Sequence, residues 1–163
     1  MENFDWTRFT RRIIIKAPIA TIYDAWTKAG EIEKWFLKEA KFYDANGGEL
    51  PKNTPASAGN GYHWIWYVYE ETEKGEILEA NGVDFVRLTF ANSILEVKLV
   101  QHESGVIVEL TQKGIPQDDN SRQYIRLGCH AGWTFYLINL KSIYEGGIDL
   151  RNTDENLPGM LNV

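Results

Sequence analysis

A chain of 163 residues with 44% hydrophobic and 25% charged content can bury a substantial core and has the balance of an ordinary globular protein. Its net charge of −6, with no basic run, argues against a nucleic-acid partner, because phosphate binding draws its affinity from clustered Lys and Arg. A single cysteine excludes an internal disulfide and fits a reducing compartment. Residues 1–6 lack an apolar signal region and no apolar run approaches the ~20 residues of a membrane span, so the chain reads as cytoplasmic.

Residues 9–16 hold Ile13-Ile14-Ile15, a β-branched run predicted as a strand. Pro18 suits a first helical turn, and Ile19, Ile22, Tyr23 and Trp26 share one face of a predicted helix that Gly30 ends. Residues 31–36 predict a second short helix and 37–43 a strand, followed by a loop over 49–60 that holds Pro51, Pro55 and Gly59. Residues 62–69 predict a strand and 70–74 a charged, solvated turn. Strands over 76–80 and 83–90 flank Asn81-Gly82, a strong hairpin signal. After a tight turn at Ala91-Asn92, residues 94–100 and 106–111 complete an antiparallel meander closed by Gly114 and Pro116. Over 123–145, Ile125, Cys129, Trp133, Tyr136, Leu137, Leu140 and Tyr144 follow helical spacing, and Gly146-Gly147 stops the helix.

The polar tail over 151–163 is expected to lie loosely on the surface. With no linker and no repeat, the whole of 1–163 is expected to be one domain with its core over about 8–150. Such a sheet buries one face and needs a cover, and only the last helix is long enough to provide it. The expected class is therefore α+β: a curved antiparallel sheet around a long C-terminal helix, with two short helices after the first strand.

The 13% aromatic content, with six Trp, suits either a tight core or the wall of an apolar ligand cavity. Tyr62, Trp64, Trp66 and Val68 alternate onto one strand face, expected to point inward, which leaves Ile65 and Tyr67 as a candidate homodimer surface. The candidate ligand-binding set joins Tyr62, Trp64 and Trp66 to Trp35, Phe90, Val97, Leu99, Cys129, Trp133 and Tyr136. Gly128 and Gly132 sit four apart in the helix, each unfavourable by roughly 1 kcal/mol relative to Ala. They either bring the helix backbone close to the sheet or leave space for a ligand. Glu109, Arg87 and Tyr69 are alternatives for orienting one.

Cys129-His130 does not read as a nucleophile and its base, since adjacent helical residues point about 100° apart. His63, His102 and His130 lack metal-ligand spacing, and no nucleotide fingerprint is present. No catalytic residue, metal or cofactor is assigned.

Ile13-Ile14-Ile15-Lys16-Ala17-Pro18-Ile19-Ala20-Thr21-Ile22-Tyr23-Asp24-Ala25-Trp26, followed by Glu33-Lys34-Trp35-Phe36, resembles the opening of the family related to the C-terminal domain of the activator of Hsp90 ATPase. Gly132-Trp133-Thr134-Phe135-Tyr136-Leu137-Ile138-Asn139-Leu140-Lys141 and Gly146-Gly147-Ile148-Asp149-Leu150 resemble that family's last helix and its end. The resemblance runs over about 11–150 and is loose in the middle. It implies membership of the START-like or Bet v 1-like (SRPBCC) group and a helix-grip fold, whose members commonly hold hydrophobic ligands between sheet and helix. The leading expectation is a non-enzymatic binder of a hydrophobic or lipid-like small molecule. The alternatives that the resemblance raises are a protein associated with an Hsp90-type chaperone and an enzyme acting on an apolar or aromatic substrate.

Overall fold

The computed structural model describes residues 3–163; Met1 and Glu2, part of the stretch read above for a signal region, lie outside the described residues. Strand β1 (Arg8–Ile15) leads into helices α1 (Ile19–Thr27) and α2 (Ala29–Trp35). Strands β2 (Glu39–Tyr43), β3 (Gly61–Ile65), β4 (Thr72–Ala80), β5 (Phe85–Phe90), β6 (Ser93–His102) and β7 (Gly105–Lys113) follow. A π-helical segment, Ser121–Leu127, runs directly into α3 (Gly128–Tyr144). The strands lie in the order β1-β7-β6-β5-β4-β3-β2, and every neighbouring pair is antiparallel. This is the helix-grip architecture expected of the sequence.

Period-two alternation puts one face of the sheet inside. Phe42, Trp64, Leu88, Val97 and Leu110 are buried, while Arg12 and Glu109, and Arg87 and Glu96, pair on the outer face. Tyr62 and Trp64 point inward, as the strand pattern predicts. Helices α1 and α2 cover the β5–β6 and β2 parts of that face, and α3 packs against β1 and α2. Gly146, at φ 80°, closes α3 with Gly147 N–H bonded to Ser142 O and Gly146 N–H to Ile143 O, the paired bonds of a Schellman cap.

The structure differs from the sequence expectations at five places. Gly30 lies inside α2, where its N–H bonds Lys52 O; the break between the two helices is the extended residue Lys28. Strand β3 stops at Ile65, short of 69, because Val68 adopts φ 68° and Tyr69 N–H bonds back to Tyr67 O in a γ-turn. The charged turn ends early, since β4 begins at Thr72. The Asn81-Gly82 connection takes four residues rather than two, with the Asn81 side-chain oxygen accepting from the backbone of Val83, Asp84 and Phe85.

The tail is the largest departure. Arg151, with a side chain only 5% exposed, donates to the backbone carbonyls of Glu33, Lys34 and Leu37 and pairs with Asp149. A cation at a helix C-terminus meets the unsatisfied carbonyls and the negative end of the dipole, so Arg151 caps α2 across 114 to 118 residues of sequence. Asn139, fully buried on α3, reinforces the junction by donating to Trp35 O and accepting from Leu150 N–H.

Candidate functional site

A cavity of about 400 Å³ lies between the first half of α3 and the end of the sheet where β3 and β4 meet the 66–71 connection. Its floor is aromatic: Phe36, Trp66, Phe90, Trp133 and Tyr136. Ring centroids of Phe36 stand 4.9 Å from Trp133, 4.8 Å from Tyr136 and 5.6 Å from Trp66. Tyr69 and Tyr124, both exposed, form its rim, and Val163 from the tail closes one side, accepting a 2.6 Å hydrogen bond from Tyr136 Oη. A volume of this size falls within the range of small-molecule sites.

What keeps the space open is the helix. A Cβ on Gly132 would meet nothing within 4 Å, and one on Gly128 would touch only Gln123 O at 3.7 Å. Close approach of backbone to sheet therefore does not account for these glycines; both border the cavity, and a Cβ on Gly132 would stand in open space. The γ-turn at Val68 ends the run that carries Trp66, and Trp66 and Tyr69 on either side of it border the cavity opposite α3. A β-branched residue at positive φ is strained by about 1–3 kcal/mol, a cost that recurs where a backbone is held for a site.

Two of the floor rings are tethered by a chain of buried polar groups. Trp133 Nε1 donates to Gln112 Oε1, Gln112 Nε2 donates to Ser93 Oγ, and Ser93 Oγ donates to Phe90 O. Gln112 is fully buried on the inward face of β7. Sequence reasoning passed over it, although a Gln in phase with Val106, Val108 and Leu110 is the signal that would have found it.

Of the ten sequence-predicted residues, Trp66, Phe90, Cys129, Trp133 and Tyr136 border the cavity. Trp35, Tyr62, Trp64, Val97 and Leu99 do not; all are buried in the filled core, where Trp35 Nε1 donates to Ala25 O and Tyr62 Oη to Thr89 O. Among the three candidate polar groups, only Tyr69 reaches the cavity, since Glu109 pairs with Arg12 and Arg87 with Glu79 and Glu96 on the outer face. The polar lining comes instead from Glu71, Thr72 and Glu73, in the segment expected to be a solvated turn. Ile65 and Tyr67 are half-buried, and Tyr67 lies under the cations of Lys38 and Arg151 at 5.9 and 5.5 Å. They offer no open apolar face.

Burial pushes the Cys129 thiol up to about 11, which keeps it protonated at neutral pH. His130 packs edge-on against Phe9 at 5.3 Å and does not border the cavity.

The model of the family described as Activator of Hsp90 ATPase homolog 1-like protein matches residues 16–145. The chain belongs to that family. Solved structures similar to it include a protein from Staphylococcus saprophyticus, 15% identical with a TM-score of 0.68, over 88% of this chain and 96% of that one. An Aha1 dimer from Colwellia psychrerythraea is 17% identical with a TM-score of 0.66, covering 86% and 97% of the two chains. An AHSA1-like protein from Rhizobium etli is 22% identical with a TM-score of 0.58, covering 86% and 82%. At these identities the likeness is one of fold. Comparison with the curated proteins yields no match. Among the described residues, no helix is long and apolar enough to cross a membrane.

Proposed function

We propose that this family member binds a small, largely apolar ligand between α3 and the β3–β4 end of the sheet. The observation that carries the reading is the paired absence of side chains at Gly128 and Gly132 beside a floor of five aromatic rings. Burial of aromatic surface on a ligand would supply the affinity, at about 25 cal/mol per Å² of apolar area removed from water. Binding without chemistry is favoured over catalysis because the one thiol of the lining is held protonated and its two carboxylates, Glu71 and Glu73, have no histidine beside them there.

Titration with naphthylmethanol, followed by calorimetry, tests the reading. The protein should bind it, and Gly132→Leu, which places a branched side chain in the space, should abolish binding while leaving the circular dichroism spectrum intact. Unchanged affinity in Gly132→Leu would sink the proposal.

The family description and the likeness to the Colwellia Aha1 dimer support a second reading, in which the outer surface meets an Hsp90-type chaperone or a second copy of the chain. Stimulation of a chaperone ATPase by the protein, unaffected by Gly132→Leu, would put the function on that surface instead.

A further inference from the structure

The cavity lining has a charge asymmetry that an apolar ligand alone does not use. Glu71 and Glu73 border it, and no Lys or Arg does. Among the described residues neither carboxylate takes part in an ion pair, so both charges are left uncompensated at the cavity edge. Glu73 Oε1 accepts from Ala91 N–H at 3.0 Å, which fixes the side chain next to Phe90. The neighbouring Lys74 does not neutralise it, because it alternates to the opposite face of β4 and pairs in register with His63. In the same register Glu73 stands opposite Trp64, on the inward side.

The rings add to this field. Aromatic faces carry negative potential, and Phe36, Trp66, Phe90 and Trp133 converge on the space that the two carboxylates border. Beyond the effect of burial, the charge of Glu73 also pushes the Cys129 thiol and the Tyr62 hydroxyl upward, so its field extends to groups around the cavity.

We infer that the ligand is an organic cation, a primary or quaternary amine on an aromatic or branched apolar body, with its nitrogen against Glu71 and Glu73 and its body on the Trp66–Phe90–Trp133 floor. A phosphate-bearing or carboxylate-bearing ligand is disfavoured by the same lining, which presents it with two negative charges and no cation.

The inference rests on the binding reading above, and the test separates the two. Naphthylmethylamine, naphthylmethanol and naphthoate share one ring system and differ in the charge of the substituent. By calorimetry at low salt the amine should bind about tenfold more tightly than the alcohol, with the carboxylate weakest, the increment of a desolvated cation against rings and carboxylates. In Glu71→Gln/Glu73→Gln the amine advantage should collapse while alcohol affinity changes by less than about twofold, since Gln keeps the shape and the acceptor for Ala91 N–H. Equal binding of amine and alcohol by the unaltered protein would overturn the cation assignment and leave the cavity reading in place. An amine preference that survives the double variant would overturn it as well, by taking the selectivity away from these carboxylates. Failure of all three compounds to bind would remove both readings.

Discussion

The two ends of the sheet's inner face use the same residue types and do different things with them. Beneath α1 and α2, Trp26 and Trp35 lock ring against ring at 4.7 Å, Trp35 stacks 5.2 Å from Phe36 at the edge of the cavity, and Trp35 has no exposed surface. Beneath the start of α3, Trp66, Tyr69 and Tyr124 border open space. Aromatic content does not separate a core from a cavity; what faces each ring does. At the filled end two helices present side chains to the sheet, and at the open end α3 presents two glycines and a cysteine beside Trp133 and Tyr136.

The largest expected contrast is between one tryptophan from each end. Trp35→Ala should reduce stability by about 3–5 kcal/mol, because the surrounding rings cannot collapse onto the void. Trp66→Ala, beside space that is already empty, should cost about 1 kcal/mol. Urea unfolding measures both, and equal losses would erase the distinction. Next in size is the clamp on the filled end: Arg151→Met leaves the carbonyls of Glu33, Lys34 and Leu37, and Asp149, without their cation, and should cost about 3 kcal/mol. If that variant unfolds at the original urea midpoint, the tail does not secure α2.

At the open end the sign should reverse. Gly132→Ala adds a methyl group where nothing lies within 4 Å and removes a helix-interior glycine, so stability should rise by about 0.5–1 kcal/mol. A loss of stability there would show that the helix and sheet approach more closely than the cavity allows. The smallest effect is electrostatic and belongs to the frame. Burial, with cations nearby, lowers His63 and His130 below their ordinary 6.5, so the unfolded chain takes up protons more readily. These groups should leave stability level above about pH 7.5 and lower it as pH falls through 6.5, and His130→Gln should flatten part of that slope in urea midpoints.

Much of the frame was legible because it is written in local periodicity. The Ile13-Ile14-Ile15 run, Pro18 and the 123–145 spacing needed only the periods of strand and helix, and Gly146-Gly147 only the geometry of a cap. The cavity was half legible for the same reason: alternation says which face a residue occupies, not what stands across from it. Trp64 and Trp66 are in phase, yet the chain leaves the sheet between them, and one ring is core while the other is wall. Glu71 is exposed, as a solvated turn predicts, whereas Glu73 is half-buried beside the cavity, and nothing local in the sequence ties it to α3. For Arg151, no sequence signal links it to carbonyls more than a hundred residues away.

The π-helical segment gives the cavity mouth a mechanical linkage. Gly128 N–H bonds Gln123 O, five residues back, so this stretch is wound one residue wider than the helix it feeds. Tyr124 on the rim shares it with Arg122, stacked over Trp6, and Arg126, stacked over Phe4 and Phe9. Removing a single residue from Ser121–Leu127 would rewind it as α-helix and rotate it by about 100° against α3. Rim and N-terminal segment would then turn together, like two teeth on one wheel, which makes the length of this stretch as much a determinant of the mouth as the identity of any side chain on it.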